Sequence, residues 1–288
     1  MCEKPVFKKI IDFEEAKQLI EQMRRDRSFP SGYKDWDKLC GGLVKDGVTL
    51  IAARPAMGKT SLALNIVSRL SVEQGGTILI FSPQMRSDEI AIRLISISTN
   101  LEPENFLNRK VPPDTIAAKF LDYYGAKESS IKVDLDSFVS LDHIRNHCSG
   151  IPDLRLVVID PVNAICKPID FSATSAKWGE KEDLTFVFQA LHKLANSLRV
   201  PVICTTHLHR SLEKRKNKRP RLGDLKKIGI PTEFIDQIIF LYRDRYYEPE
   251  GEEGAELIVA KVAQGDVGTV QLDWDYTTRR FTERRKVK

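Results

Sequence analysis

Residues 49–52, TLIA, run directly into ARPAMGKT at 53–60, which runs directly into SLALNIVSRL at 61–70. An apolar, β-prone run, a short loop and a stretch with apolar residues at helical spacing make a strand–loop–helix unit. The loop follows the pattern GxxxxGK-S/T except that Ala53 stands at the first glycine. In such a loop the backbone of Arg54, Pro55, Ala56, Met57, Gly58, Lys59, Thr60 and Ser61 curls around phosphates. Its N–H groups and the helix N-terminus converge on the anion, Gly58 permits close approach, Lys59 reaches the β- and γ-phosphates, and the Thr60 hydroxyl serves magnesium. A nucleotide–magnesium site also needs a carboxylate at the end of a neighbouring buried strand, and Asp160 follows Leu156-Val157-Val158-Ile159. These residues specify a nucleoside-triphosphate site of the P-loop kind.

Outward from the loop, further apolar β-rich runs occur at 77–81, 131–135, 156–159 and 200–205, with helical patterns at 59–70, 87–99 and 183–198. Strands alternating with helices predict an α/β fold, a mostly parallel sheet flanked by helices, with ligands at the carboxyl ends of the strands. Runs at 237–242, 256–262 and 269–274 follow one another with short turns such as Gln264-Gly265-Asp266, which predicts an antiparallel C-terminal extension. Residues 12–25 carry apolar side chains at helical spacing and read as an amphipathic helix, and residues 167–181 read as a loop.

Composition narrows the class. A chain that is 42% hydrophobic and 30% charged has the balance of an ordinary globular protein. No apolar run approaches the roughly 20 residues of a membrane span, and the N-terminal segment lacks the apolar core of a signal peptide. A cytoplasmic protein without membrane contact is therefore expected. Cys2, Cys40, Cys148, Cys166 and Cys204 have no CxxC spacing, which argues against a disulfide framework or a cysteine zinc site. His143 and His147 fall on one helix face beside Cys148. With no second cysteine pair nearby, they read as plain helix surface, and nothing supports a metal at His209. The net charge of +5 decides little. Its distribution says more: residues 210–227, RSLEKRKNKRPRLGDLKK, have only Glu213 and Asp224 opposing their cations, and a second basic cluster ends the chain.

The order of motifs resembles one family. ARPAMGKTSLALNI is similar to the phosphate loop of DnaB-type replicative DNA helicases, in which alanine often holds that first position. FSPQMRSDEIAIRLIS resembles the family's second-strand motif and LVVIDPVNAI its Asp-bearing strand. VPVICTTHLHRSLEKRKNKRPRLGDLKKIG resembles the phosphate-sensor strand with the DNA-binding loop. FLYRDRYY and ELIVAKVAQGDVGTVQLDW resemble the late strands. The likeness implies a RecA-like ATP-binding motor domain at 29–281, with a linker helix at 1–28 where the family has its primase-interacting domain and linker, and a basic tail at 282–288. It further implies ATP and Mg2+, single-stranded DNA, and a homo-oligomeric ring or association with another helicase ring. By the same likeness His207 senses the γ-phosphate, Lys226 and Gly229 hold DNA phosphates, and Lys227 replaces an acidic residue. Arg219 joins them as a further phosphate contact.

Two positions break the family pattern. Gln84 stands where the family has the glutamate that polarises the attacking water; an amide cannot accept that proton. The late Lys-x-Arg motif, which gives an arginine to the neighbour's ATP, reads Lys261-Val262-Ala263, so Lys261 remains to act in trans without the guanidinium. Asn163 for the usual glutamine is a milder change. The expectation is an ATP-binding, hydrolysis-impaired regulatory or accessory relative in DNA replication. The alternative is an active helicase motor subunit; a RecA-type recombinase shares the fold but not the details of ARPAMGKT and DLKKIG.

Overall fold

The computed structural model describes residues 28–125, 129–165 and 184–284. The expected helix at 12–25 and loop at 167–181 lie outside them. Strands are β1 (Ser28–Phe29), β2 (Leu43–Val44), β3 (Val48–Ala53), β4 (Gly76–Phe81), β5 (Ser129–Asp134), β6 (Leu154–Ile159), β7 (Val202–His207), β8 (Gln237–Tyr242), β9 (Ala255–Val262), β10 (Gly268–Asp275) and β11 (Arg280–Glu283). Helices are α1 (Lys34–Cys40), α2 (Lys59–Gln74), α3 (Ser87–Thr99), α4 (Pro103–Leu107), α5 (Pro113–Tyr124), α6 (Leu141–Ser149), α7 (Thr185–Leu198) and α8 (Leu222–Lys226).

β3 to β11 form one sheet in the order β11-β10-β9-β8-β3-β7-β6-β4-β5. The six strands from β8 to β5 in that order run parallel, while β9, β10 and β11 join antiparallel, as the sequence predicts. Every residue of β3 is buried, the mark of a strand covered on both faces. Alternate side chains divide between two cores. Ile51, Ile80, Val158 and Ile203 meet α1, α2 and α3 on one face; Leu50, Phe81, Val157 and Cys204 meet α6, α7 and α8 on the other. Leu62, Ile66, Val67 and Leu70 bury one side of α2 completely, and truncating one such side chain to alanine costs about 2–5 kcal/mol.

At the edges of the described residues, Ser28 pairs with Val44, and Thr282 and Glu283 pair with Asp273 and Leu272. The helices α1, α4 and α5 were not legible as elements. α1 has seven residues, too few to show a period, and α5 buries only Tyr124.

Candidate functional site

Four neighbouring parallel strands deliver the site from their carboxyl ends. β3 pairs with β7 so that Ala53 lies opposite His207, β7 pairs with β6 at Cys204 and Ile159, and β6 pairs with β4 at Ile159 and Phe81. The phosphate loop, His207, Asp160 and the segment containing Gln84 therefore emerge side by side.

Gly58 adopts φ +101°, and a Cβ there would stand 3.0 Å from the Phe281 ring, so the loop depends on glycine. Ala56 also has positive φ, at 62°. Arg54 points away from the loop, with its Nε 2.7 Å from Glu213 and its Nη1 donating to the Leu208 carbonyl at 2.7 Å. Lys59 is buried, and its ammonium donates to the Ala53 and Arg54 carbonyls at 3.2 and 3.0 Å. Burial pulls its pKa down to about 8, against the opposing pull of Asp160, and Arg54 adds to the lowering. A buried ammonium bound only to carbonyls, at the N-terminus of a 16-residue helix, fits an incoming polyphosphate. Met57 and Ser61 are buried, Thr60 half-buried, and Pro55 and Ala56 exposed at the loop tip.

Asp160 is buried, its Oδ1 accepting from the Thr205 hydroxyl. With the Thr60 hydroxyl it supplies the oxygen donors magnesium prefers. His207 is exposed at the end of β7. Desolvation, then the Lys59 charge, holds its pKa below the usual imidazole value, with Asp160 opposing and Arg54 assisting. Gln84 is exposed, as are Asp88 and Glu89, and Asp88 is paired to Arg86 at 2.9 Å.

The basic segment is less free than its sequence indicates, because carboxylates reach it from elsewhere. Arg219 was expected to hold DNA phosphates, but its guanidinium is bound to Glu256 at 2.5 and 2.7 Å and lies 4.7 Å above the Tyr242 ring. β8–β9 pairing sets Glu256 opposite Tyr242, a contact across 37 residues that charge counting cannot see. Lys218 is likewise held by Glu248, and Arg215 by Asp224 of the same segment. Lys226 and Lys227 are exposed at the end of α8, with Lys227 3.5 Å from Asp224, and Gly229 follows at φ 71°. Lys261 donates to the carbonyls of Thr232 and Ile235 of its own chain, both at 2.6 Å, and Ala263 is exposed in the turn beyond β9.

A model of the DnaB-like helicase C-terminal domain matches residues 28–283. The chain belongs to that family. The replicative DNA helicase DnaB of Geobacillus stearothermophilus is 29% identical over 248 residues, which is 84% of this chain and 54% of the relative. The replicative DNA helicase DnaC of Bacillus subtilis is 28% identical over 262 residues, 88% of this chain and 57% of the relative. The chain thus spans about half the length of the curated relatives it matches. Among solved structures, an ATPase domain determined on its own superposes with a TM-score of 0.79 at 27% identity, covering 96% of this chain and 100% of that one. A DnaB-like replicative helicase, described with its interactions with primase, gives 0.80 at 26% identity, covering 96% and 68%.

Within this DnaB-like domain the sequence reading missed several groups around the loop. Arg243 donates to the Ala56 carbonyl at 3.3 Å and lies 5.0 Å from the centre of the Trp274 ring, which itself packs on Phe281. Arg93 of α3 is half-buried; burial, then the Arg279 charge, lowers its pKa, while Glu89 and Asp160 pull it back. Arg93 and Arg243 both stand inside quoted motifs, FSPQMRSDEIAIRLIS and FLYRDRYY, but only the packing of α3 and the end of β8 brings them to this part of the domain.

Proposed function

We propose that this DnaB-like domain binds ATP with magnesium and acts with single-stranded DNA in DNA replication, as a hydrolysis-impaired regulatory or accessory subunit. The observation that carries the reading is the contrast within one site. The elements that bind nucleotide, Gly58, Lys59, Thr60 and Asp160, are all in place, whereas an exposed amide and an exposed methyl stand at the two positions that accelerate cleavage. Lys226, Lys227 and Gly229 are the segment offered to DNA phosphates. Ring formation, or docking on another helicase ring, would set Ala263 and Lys261 against a neighbour's nucleotide, and Lys261 would have to leave its two carbonyls to serve there. The alternative of an active motor has one specific support: Arg93 of the same chain is a half-buried cation that feels the Asp160 charge.

A steady-state ATPase assay with and without single-stranded DNA, beside equilibrium binding of ATP, separates the two. The proposal expects saturable ATP binding with turnover at background in both conditions. Robust DNA-stimulated turnover by the unmodified chain returns it to the motor class.

A further inference from the structure

The far edge of the sheet carries a cluster that the nucleotide site does not use. β5 closes the sheet beyond β4 and ends at Asp134, and α6 sets His143 and His147, four residues apart, beside that carboxylate. Asp142 precedes His143 in the sequence, but the carboxylate that the fold sets against both imidazoles is that of Asp134, at the end of the neighbouring strand.

Asp134 Oδ2 lies 2.7 Å from His143 Nε2 and 3.7 Å from His147 Nε2, and the three side chains each offer an atom within 4.8 Å of the others. Around zinc, with bonds of about 2.0–2.1 Å to nitrogen and oxygen, tetrahedral ligand atoms stand about 3.4 Å apart. The two separations bracket that value. The proton positions point the same way. His147 Nδ1 lies 2.9 Å from the His143 carbonyl, which can only accept, so a neutral His147 presents its Nε2 lone pair to the Asp134 carboxylate. Two lone pairs facing each other repel unless a cation or a proton lies between them. An Nδ1–H bound to a carbonyl is also the support that orients metal-ligating imidazoles.

The surroundings hold the set in place. Asp134 Oδ1 accepts from the Asp136 N–H at 2.9 Å, which leaves Oδ2 for the cluster. The Ser82 N–H donates to the Asp134 carbonyl at 3.0 Å, and the Ser140 hydroxyl caps α6 by accepting from the His143 N–H at 3.1 Å. The buried Phe81 ring backs both imidazoles, at 6.0 and 6.3 Å between centroids, and forms a dry wall on one side. His147 is half exposed, so the other side is open for an ion to enter and for water to complete its shell.

We infer that Asp134, His143 and His147 form a binding site for a divalent transition-metal ion of the zinc class, separate from the magnesium of the nucleotide site. Two imidazoles and one carboxylate select zinc, cobalt or nickel over magnesium or calcium, which take oxygen sets. The ion would pin the edge strand to α6 beside Ser82, two residues before Gln84.

The test uses the full chain, free of tags and nucleotide and stripped of metal. Dialysis against Zn2+ with quantitation of bound metal should saturate at one ion per chain, and Zn2+ should raise the melting temperature. His147→Gln and His143→Gln should each weaken binding at least tenfold, while His147→Gln, altered at a half-exposed position, should melt with the wild type in EDTA and gain nothing from Zn2+. Co2+ bound to the wild type should show d–d bands of a nitrogen and oxygen set, a measurement that needs no variant. Absence of saturable binding would leave an aspartate–histidine ion pair in place of a metal site. Binding that survives both substitutions, or a thiolate charge-transfer band with Co2+, would place the ion elsewhere and overturn the assignment.

Discussion

The loop after β3 and the loop after β4 leave the same edge of one sheet, but the first is held from all sides and the second is held by little. After β3, Met57 and Lys59 are buried, Arg54 is fixed by Glu213 and the Leu208 carbonyl, and Arg243 holds the Ala56 carbonyl. After β4, Gln84, Arg86, Ser87, Asp88 and Glu89 are all exposed, and the Arg86–Asp88 pair is a solvent-screened surface contact that does little to fix the loop. Preorganisation is concentrated where phosphate is gripped and is sparse where water would be activated. Under the proposed function, a site built this way would favour holding nucleotide over cleaving it.

The contrast is sharpened most by restoring what the second region lacks. A Gln84→Glu, Ala263→Arg double variant should raise ATP turnover by orders of magnitude over wild type, since an arginine finger alone is worth about 10³–10⁵ in related phosphoryl transfer. Either single change should recover far less, because groups of one catalytic unit are not additive. Equal rates in wild type and double variant, measured under single-turnover conditions, would show that the exposed loop is not what limits cleavage.

The first region is attacked next. Lys59→Ala removes the only ammonium in the loop and should weaken ATP–magnesium binding roughly tenfold to hundredfold, the worth of a charge-assisted bond of about 1.5–3 kcal/mol. Calorimetry giving equal affinities would break the assignment of the phosphate site.

A smaller effect follows from the depressed pKa of the same lysine. Nucleotide phosphates favour the ammonium, so the bound value lies above the free value of about 8. Below pH 8 the free chain already carries the proton and affinity is flat. As pH rises through 8, binding must take up a proton, and affinity falls by up to about tenfold per pH unit. Proton uptake read from the buffer dependence of the binding enthalpy at pH 9 checks the sign; a flat affinity from pH 7 to 9.5 would deny it.

The smallest effect concerns the basic segment. Lys226→Ala with Lys227→Ala should flatten the log–log salt dependence of single-stranded DNA binding by about 1.4, at about 0.7 per contact. Arg219→Ala should change the slope less, since its guanidinium is already neutralised by Glu256. A larger slope change from Arg219 than from the two lysines, by fluorescence anisotropy, would reverse that ranking.

Much of this arrangement was legible in the sequence, and the rest was hidden for a definite reason. α3 occupies 87–99 and β8 occupies 237–242, both as expected, because apolar period and flanking turns are local signals. The phosphate loop, Asp160 and His207 come together because strand ends of a parallel sheet share one edge. The Glu256 partner of Arg219 was hidden because it arrives through strand pairing from β9, and the Asp134–His143–His147 cluster because it joins a strand end to a helix. Both are facts of tertiary structure that no spacing records. Arg243 and Trp274 stood inside quoted motifs, yet only the sheet places them beside the loop, at Ala56 and Gly58.

The packing of β11 bears on how the protein is made. The Phe281 ring walls Gly58, and the Phe281 carbonyl and N–H are tied to Arg69 and Asn65 of α2, so the helix that follows the phosphate-loop motif is bound to β11. A nascent chain emerging from the ribosome displays its complete phosphate motif long before that wall exists. That wall is completed only when β11 is released and folds back across more than two hundred residues of sequence separation, so under the proposed function firm nucleotide binding would be acquired late in the domain's synthesis.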